Sequence, residues 1–278
     1  MLKSAGLVAR FDKKKAVKLA EDLAEYLMKK GLEVQIEDTL AERMSIKGKT
    51  VPLEKMKTDL IVTIGGDGTI LRTSVSIPKP EPPILAINMG VRGFLTEVEP
   101  EQAFNAVDKC LKGEFTIERC MKLSITVNDE KFPEALNEVL ISADEPAKLL
   151  YAKVFKDKKA ILNLQADGVM VATQTGSTGY SLSAGGPVLD PSLDAFVLTP
   201  VCPLSIFYPI VFPAESHLTV NVVRPKRTLV VVDGHYRKTA SGKTISIRVT
   251  RSSNETLFVR FKENFYQRLR SRLLFKGS

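Results

Sequence analysis

The sequence predicts two domains, an α/β domain followed by an all-β domain. Three observations support this. The chain has 278 residues, long for one core and sufficient for two. Up to Gly113, apolar runs of strand length alternate with segments of helical period. Beyond Gly113 short strands follow one another directly, separated by turn residues. The expected boundaries are 1–114 and 115–256, with 257–278 returning to the first domain. Hydrophobic residues make up 44% and charged residues 26%, as in ordinary globular proteins. The net charge is +8, but the basic residues are scattered and not interleaved with aromatics. A small polyanionic substrate is therefore favoured, and nucleic acid is not expected.

Gly6–Ala9 reads as the first strand, Asp12 as a helix cap, and Ala16, Leu19, Ala20, Leu23, Leu27 and Met28 as one helical face ended by Gly31. Lys13–Lys15 fits the solvated start of that helix. A second strand falls at Val34–Ile36, and residues 38–57 read as loop. Leu60–Ile64 is a buried strand leading into Gly65-Gly66-Asp67-Gly68-Thr69. Ile84–Ile87 is another strand, followed by Asn88–Leu95, and Pro100 opens a helix through about Leu111. This alternation implies a parallel, Rossmann-like sheet, on which ligands bind beyond the carboxyl ends of the strands. Neither G-x-G-x-x-G after the first strand nor a P-loop signature occurs.

The second domain reads as β-sandwich-like. Strands are expected at Ser124–Val127, Val139–Ser142, Ala152–Phe155, Ile161–Leu164, Val169–Ala172, Leu218–Val223, Leu229–Val232, Ile245–Val249 and Leu257–Phe261. Asn128-Asp129, Asp157-Lys158 and Asp167-Gly168 supply turns. Residues 195–214 carry four prolines among uncharged residues, which argues against a membrane helix. Phe265, Leu269, Leu273 and Leu274 form the apolar face of a final helix. Cys110, Cys120 and Cys202 have no metal-ligand or paired spacing, so reduced thiols and a cytoplasmic location are expected, with no metal site among the side chains. The start of the chain does not read as a signal peptide.

Two stretches carry chemistry. In the first, Gly65, Gly66 and Gly68 bare the backbone so that amides can approach a phosphate. Asp67, an anion in that loop, would repel phosphates unless it accepts a proton or helps hold a metal beside them. A plain strand-to-helix turn is the alternative. The second stretch, Thr173–Pro187, packs hydroxyls and glycines without a charge, which suits ribose, phosphate and base edges. Tyr180 is placed to stack on a base or ribose. A surface linker is the alternative there.

Five marks in order now give a resemblance. They are GGDGT at Gly65–Thr69, N-x-G-x-x-G-F-L at Asn88–Leu95, Asn137-Glu138, the TGST-x-Y-S-L-S-A-G-G-P run, and Thr199-Pro200-Val201-Cys202-Pro203. The chain resembles the NAD kinases, in particular archaeal ones, over nearly its whole length, including the Asn264–Leu269 segment. These enzymes transfer a phosphoryl group from ATP or polyphosphate to the 2′-hydroxyl of the adenosine ribose of NAD. GGDGT alone is shared with lipid kinases and loosely with phosphofructokinases; the hydroxyl-rich run makes the likeness specific.

The resemblance implies roles residue by residue. Asp67 is the expected general base. Gly65, Gly66, Gly68 and Thr69 belong to the phosphate loop, with Arg72 neutralising a phosphate or serving only as a helix-surface charge. Asn137 and Glu138 are expected to hydrogen-bond the adenine and ribose. Lys148 is a basic contact or a solvated strand lysine, and Asp167 a nicotinamide-end residue or half of a turn. Thr178, Gly179, Tyr180, Ser181, Leu182 and Ser183 would line the adenosine pocket, and Cys202 would approach the nicotinamide site. NAD is expected between the domains, with Mg²⁺ riding on the donor phosphates. A homodimer or homotetramer is expected from the resemblance and from β-sheet edges that need covering. Gln174, Gly179 and Leu204 depart from the family's usual Pro, Ala and His, and His235 stands where Gln is common. A lipid kinase and a non-catalytic NAD-binding regulator are the rival readings.

Overall fold

The computed structural model describes residues 2–45, 48–90, 93–145, 147–262 and 265–273; side chains in the last stretch are described to residue 270. The chain divides into one compact unit of residues 1–120 and 256–278 and a second of residues 121–255.

The first unit opens with β1 (Ser4–Ala9), α1 (Lys14–Lys29), β2 (Glu33–Glu37), α2 (Asp38–Ala41) and β3 (Lys49–Val51). Then come β4 (Leu60–Gly65), α3 (Asp67–Ser76), β5 (Ile84–Asn88) and α4 (Ala103–Lys112). The second unit contains β6 (Thr116–Val127, which begins in the first), β7 (Glu130–Lys131), β8 (Glu138–Ala143), β9 (Leu150–Lys156), β10 (Lys159–Thr173) and α5 (Tyr180–Ser183). It continues with β11 (Ala195–Pro203), β12 (Ile210–Pro213), β13 (Leu218–Arg224), β14 (Arg227–Val232), β15 (Tyr236–Ser241) and β16 (Ile245–Arg260). The last residues of β16 and α6 (Phe265–Leu273) belong to the first unit.

In the first unit the strand order is β3-β2-β1-β4-β5-β16, all parallel. β4 is buried throughout because its apolar run lies between β1 and β5. α1 covers the sheet with Ala16, Ala20, Leu23, Ala24 and Leu27, spaced three and four apart on one face. Gly31 ends it at φ +86°, a conformation that favours glycine. Full burial of Leu23 and Leu27 contributes about 1.5–3 kcal/mol each. Two expectations fail here. Asp12 does not cap α1; its carboxylate takes the Arg10 guanidinium at 2.8 Å. Residues 38–57 are not all loop, since β3 pairs in parallel with β2 at the sheet edge.

In the second unit the order is β15-β14-β8-β10-β9-β13-β16, with β11 on β10, β12 on β11, and the β6–β7 pair. Here too the sequence reading needs correction. Asp167-Gly168 makes no turn but lies inside the 15-residue β10. Gly168 is needed for close approach instead: a Cβ there would stand 2.9 Å from the Ile141 carbonyl oxygen on β8. The uncharged 195–214 stretch holds two strands, and β6 and β16 are longer than their apolar cores suggested. α5 and a short 3₁₀ turn at Gly176–Thr178 give the hydroxyl-rich stretch regular structure.

Among the described residues no helix is long and apolar enough to cross a membrane. The three cysteines form no disulfide; Cys110 and Cys120 are buried and Cys202 is exposed. In the terminal helix Phe265 and Leu269 are half-buried; the Leu273 side chain and Leu274 lie outside the described residues.

Candidate active site

In the first unit the site grows out of the end of β4. The Thr69 side chain folds back over Gly65, where a Cβ would lie 2.2 Å from its Oγ1. Gly66 is bare, with nothing among the described residues within 4 Å of a built Cβ, and Gly68 is exposed. Asp67 begins α3, so its carboxylate stands at the positive end of that helix. Its two oxygens accept the Phe94 N–H at 2.8 Å and the Leu95 N–H at 3.1 Å. Gly93 makes this approach possible, since a Cβ there would stand 1.8 Å from Asp67 Oδ1. Residues 91 and 92 of the N-x-G-x-x-G-F-L motif lie outside the described residues. Asn88 closes the start of that loop, its Oδ1 accepting the Gly90 N–H at 3.2 Å.

Arg72 is turned elsewhere. It makes a two-point pair with the buried Glu37, one contact at 2.9 Å. That pair holds α3 against β2 and neutralises the guanidinium within the unit.

In the second unit the polar groups converge at the start of β8. Asp233, fully buried, accepts three successive backbone N–H groups from Leu136, Asn137 and Glu138 at 2.7, 2.8 and 2.9 Å. Thr173 grips the same segment, its hydroxyl donating to the Leu136 carbonyl at 2.6 Å and accepting the Gly176 N–H at 3.1 Å. Gly176 packs so closely that a Cβ would lie 2.1 Å from the Asn137 carbonyl oxygen. Gly179 faces the polar ends of both site residues: a built Cβ lies 3.3 Å from Asn137 Nδ2 and 3.4 Å from Glu138 Oε2.

Asn137 Oδ1 and Glu138 Oε2 are buried and make no hydrogen bond among the described residues. Such atoms are costly in a plain core and are expected where a ligand binds. Burial, with the Asp233 charge adding to it, pushes the Glu138 carboxyl up to about 8. Burial likewise raises Asp233, to about 6, against the opposing pull of the three amides and Lys122.

The remaining residues of the hydroxyl-rich run divide by task. Ser177 and Ser181 are buried and hold the turn: Ser177 donates to the Gln174 carbonyl at 2.6 Å, and Ser181 lies 2.8 Å from the Thr199 hydroxyl. Thr178 donates to the Thr175 carbonyl at 3.3 Å. Leu182 is half-buried, while Tyr180 and Ser183 are exposed. Asp167 and Cys202 occupy facing positions, because Ala166 pairs with Pro203 and Gly168 with Val201. Lys148 is exposed and paired with Glu145.

Sequence reasoning passed over Asp233 and Gly93. Asp233 lies in the turn between β14 and β15, and nothing local signals that its carboxylate reaches back to residues 136–138. Gly93 was visible within its motif, but not the carboxylate that it accommodates.

A glycine loop presenting one carboxylate, and a β unit with unpaired polar groups beside a hydroxyl-rich turn, define a nucleotide-handling phosphotransferase. Comparison with known proteins makes this specific. Residues 5–115 match the family described as the ATP-NAD kinase N-terminal domain, and residues 136–261 the ATP-NAD kinase C-terminal domain. The chain belongs to the NAD kinase family. It is 40% identical to the NAD kinase of Methanothermobacter thermautotrophicus over 98% of this chain and 96% of that one. It is 41% identical to the NAD kinase of Thermococcus gammatolerans over 96% and 98%. Among solved structures it is similar to yeast NADH kinase complexed with NADH, with TM-score 0.91 and 25% identity, covering 100% of this chain and 89% of that one. It is also similar to an NAD kinase from Archaeoglobus fulgidus in complex with ATP, with TM-score 0.78 and 30% identity, covering 96% and 99%.

Proposed function

We propose that this NAD kinase uses Asp67 to take the proton from the 2′-hydroxyl of the adenosine ribose of NAD as that oxygen attacks the terminal phosphorus of ATP or polyphosphate. The single observation that carries this reading is the Asp67 carboxylate, oriented by two amides at the head of α3 beside the bare Gly66. General-base help of this kind contributes about 10²–10⁴-fold in rate. Gly65, Gly66, Gly68 and Thr69 serve the donor phosphates. Arg72, paired with Glu37, keeps α3 in place and so acts on the loop indirectly.

On the acceptor side, Asn137 and Glu138 bind the adenosine. With its proton held up to about 8, Glu138 offers an O–H donor at neutral pH as well as an acceptor. Tyr180 stacks on the nucleoside, Thr178, Gly179 and Ser183 line it, and Ser181 and Leu182 hold the turn. Asp167 and Cys202, facing each other across two strands, attend the nicotinamide end. Lys148 remains a candidate for phosphate once Glu145 releases it.

Mg²⁺ would ride on the donor phosphate oxygens and keep its waters rather than sit in an all-protein cage; among the described residues no group of three His, Cys, Asp or Glu is arranged for a metal. When bound, the ion neutralises charge on the transferred group. ATP as donor is supported by the ATP complex of the Archaeoglobus fulgidus enzyme, and NADH as a competing acceptor by the yeast complex. The protein acts as a cytoplasmic homodimer or homotetramer.

The test is product analysis. Purified protein is given NAD or NADH with Mg²⁺ and either ATP or polyphosphate, and the dinucleotides are separated. NADP formed with at least one donor is expected; none with either would refute the reading.

A further inference from the structure

The two amides that hold Asp67 belong to a segment that is itself held from behind. Arg268, on α6, donates to the Phe94 carbonyl at 2.5 Å, and Arg260, at the end of β16, donates to the Leu95 carbonyl at 2.9 Å. Both guanidiniums share one oxygen of Glu97, Arg268 at 2.7 Å and Arg260 at 3.3 Å. The other Glu97 oxygen accepts the Phe261 N–H at 2.9 Å, and Arg260 also reaches Glu118 at 2.5 Å. The Glu97, Arg260 and Arg268 side chains are 2%, 9% and 12% exposed, so these contacts are shielded from water.

The Phe94 carbonyl and the Leu95 N–H belong to one peptide plane. That plane is rigid, so fixing the direction of its C=O fixes the direction of its N–H. Arg268 takes one end of it and Asp67 the other. A cation on the carbonyl also polarises the amide and strengthens the bond that its N–H donates. Arg260 holds the next plane in the same way. The fork of a guanidinium serves a carbonyl and a carboxylate together, which an ammonium does not match. Burial and the neighbouring Arg260 work against the Arg268 charge; Glu97, Glu118 and Asp67 support it.

We infer that Arg268 and Arg260, locked on Glu97, are positioning residues that aim the Asp67 carboxylate through the 94–95 backbone. The chain's last helix thereby becomes part of the catalytic apparatus. This rests on Asp67 being the base.

The test uses the full-length chain carrying Arg268→Gln, Asp67→Asn or both, measuring kcat, KM for NAD and Tm. Arg268→Gln is expected to lower kcat about 10- to 100-fold, the range for a misaimed reacting group, with KM for NAD changed less than about twofold. In the Asp67→Asn background the same change should cost nothing further, because no base remains to aim. If Arg268→Gln does not fold, Arg268→Lys keeps the charge beside Glu97 but lacks the planar fork, and it too should lose kcat at near-normal Tm. Loss in Asp67→Asn with full kcat in folded Arg268→Gln or Arg268→Lys overturns the positioning role and leaves Asp67 as base. Multiplying losses in the double variant overturn it as well. Near-normal kcat in Asp67→Asn overturns the base assignment itself, and the positioning role falls with it.

Discussion

Gly93→Ala is a steric probe of the Asp67 carboxylate. Its methyl group would stand 1.8 Å from Asp67 Oδ1, 2.6 Å from Cγ and 2.9 Å from Oδ2, where ordinary contact begins at 3.4 Å. The carboxylate or the 93–95 segment must therefore give way by about 1.6 Å. Either movement breaks the Phe94 and Leu95 N–H contacts. Misplacement of about 1 Å costs on the order of 10²-fold in a positioned reaction, so kcat should fall at least that far. Overpacking costs about 1–3 kcal/mol, so the variant should still fold with a lowered Tm. The assay is NADP formation at saturating donor and NAD, with NAD affinity measured separately by titration. Since residues 136–138 are untouched, NAD affinity should hold. Wild-type kcat in folded Gly93→Ala would refute the claim that the carboxylate must sit where these amides place it.

Two further expectations follow from the same structure. Glu138 has its folded pKa raised to about 8 from an ordinary 4.5, so the native state holds this proton more tightly than the unfolded chain does. Its contribution to stability is therefore full below about pH 4.5 and is lost as pH rises through about 8. Tm of the wild type should fall between pH 6 and 8.5 more than that of Glu138→Gln, and equal slopes would refute it. Assembly should show in light scattering as two or four chains. Ile206 and Tyr208 are 90% and 80% exposed, an apolar surface that suits covering by a second copy, and a particle of 30.7 kDa at micromolar concentration would refute this.

Much of the molecule is legible in the sequence because its signals are local. The alternation of β4, α3 and β5 follows from apolar period and glycine punctuation, and the bare loop around Asp67 from three missing Cβ atoms. The errors are local rules overridden by neighbours. Asp167-Gly168 has turn chemistry, yet β8 and β11 on either side draw it into a straight strand, where Gly168 admits the Ile141 carbonyl. Asp12 has cap chemistry, yet Arg10 claims its carboxylate at shorter range.

What the sequence by itself determined was the family and the fold class, and it marked Asp67, Asn137 and Glu138 as candidate site residues, because each lies in a stretch whose composition is unusual over a few residues. What only the tertiary structure decided was how those groups are held. Asp233 supports the amides of residues 136–138 from about 95 positions away, and Arg268 stands about 170 positions from the Phe94 carbonyl that it bonds. Hydrogen bonds act over about 3 Å of space whatever the separation along the chain. Only the folded backbone brings Asp233, Arg260 and Arg268 within that distance of the segments that they hold.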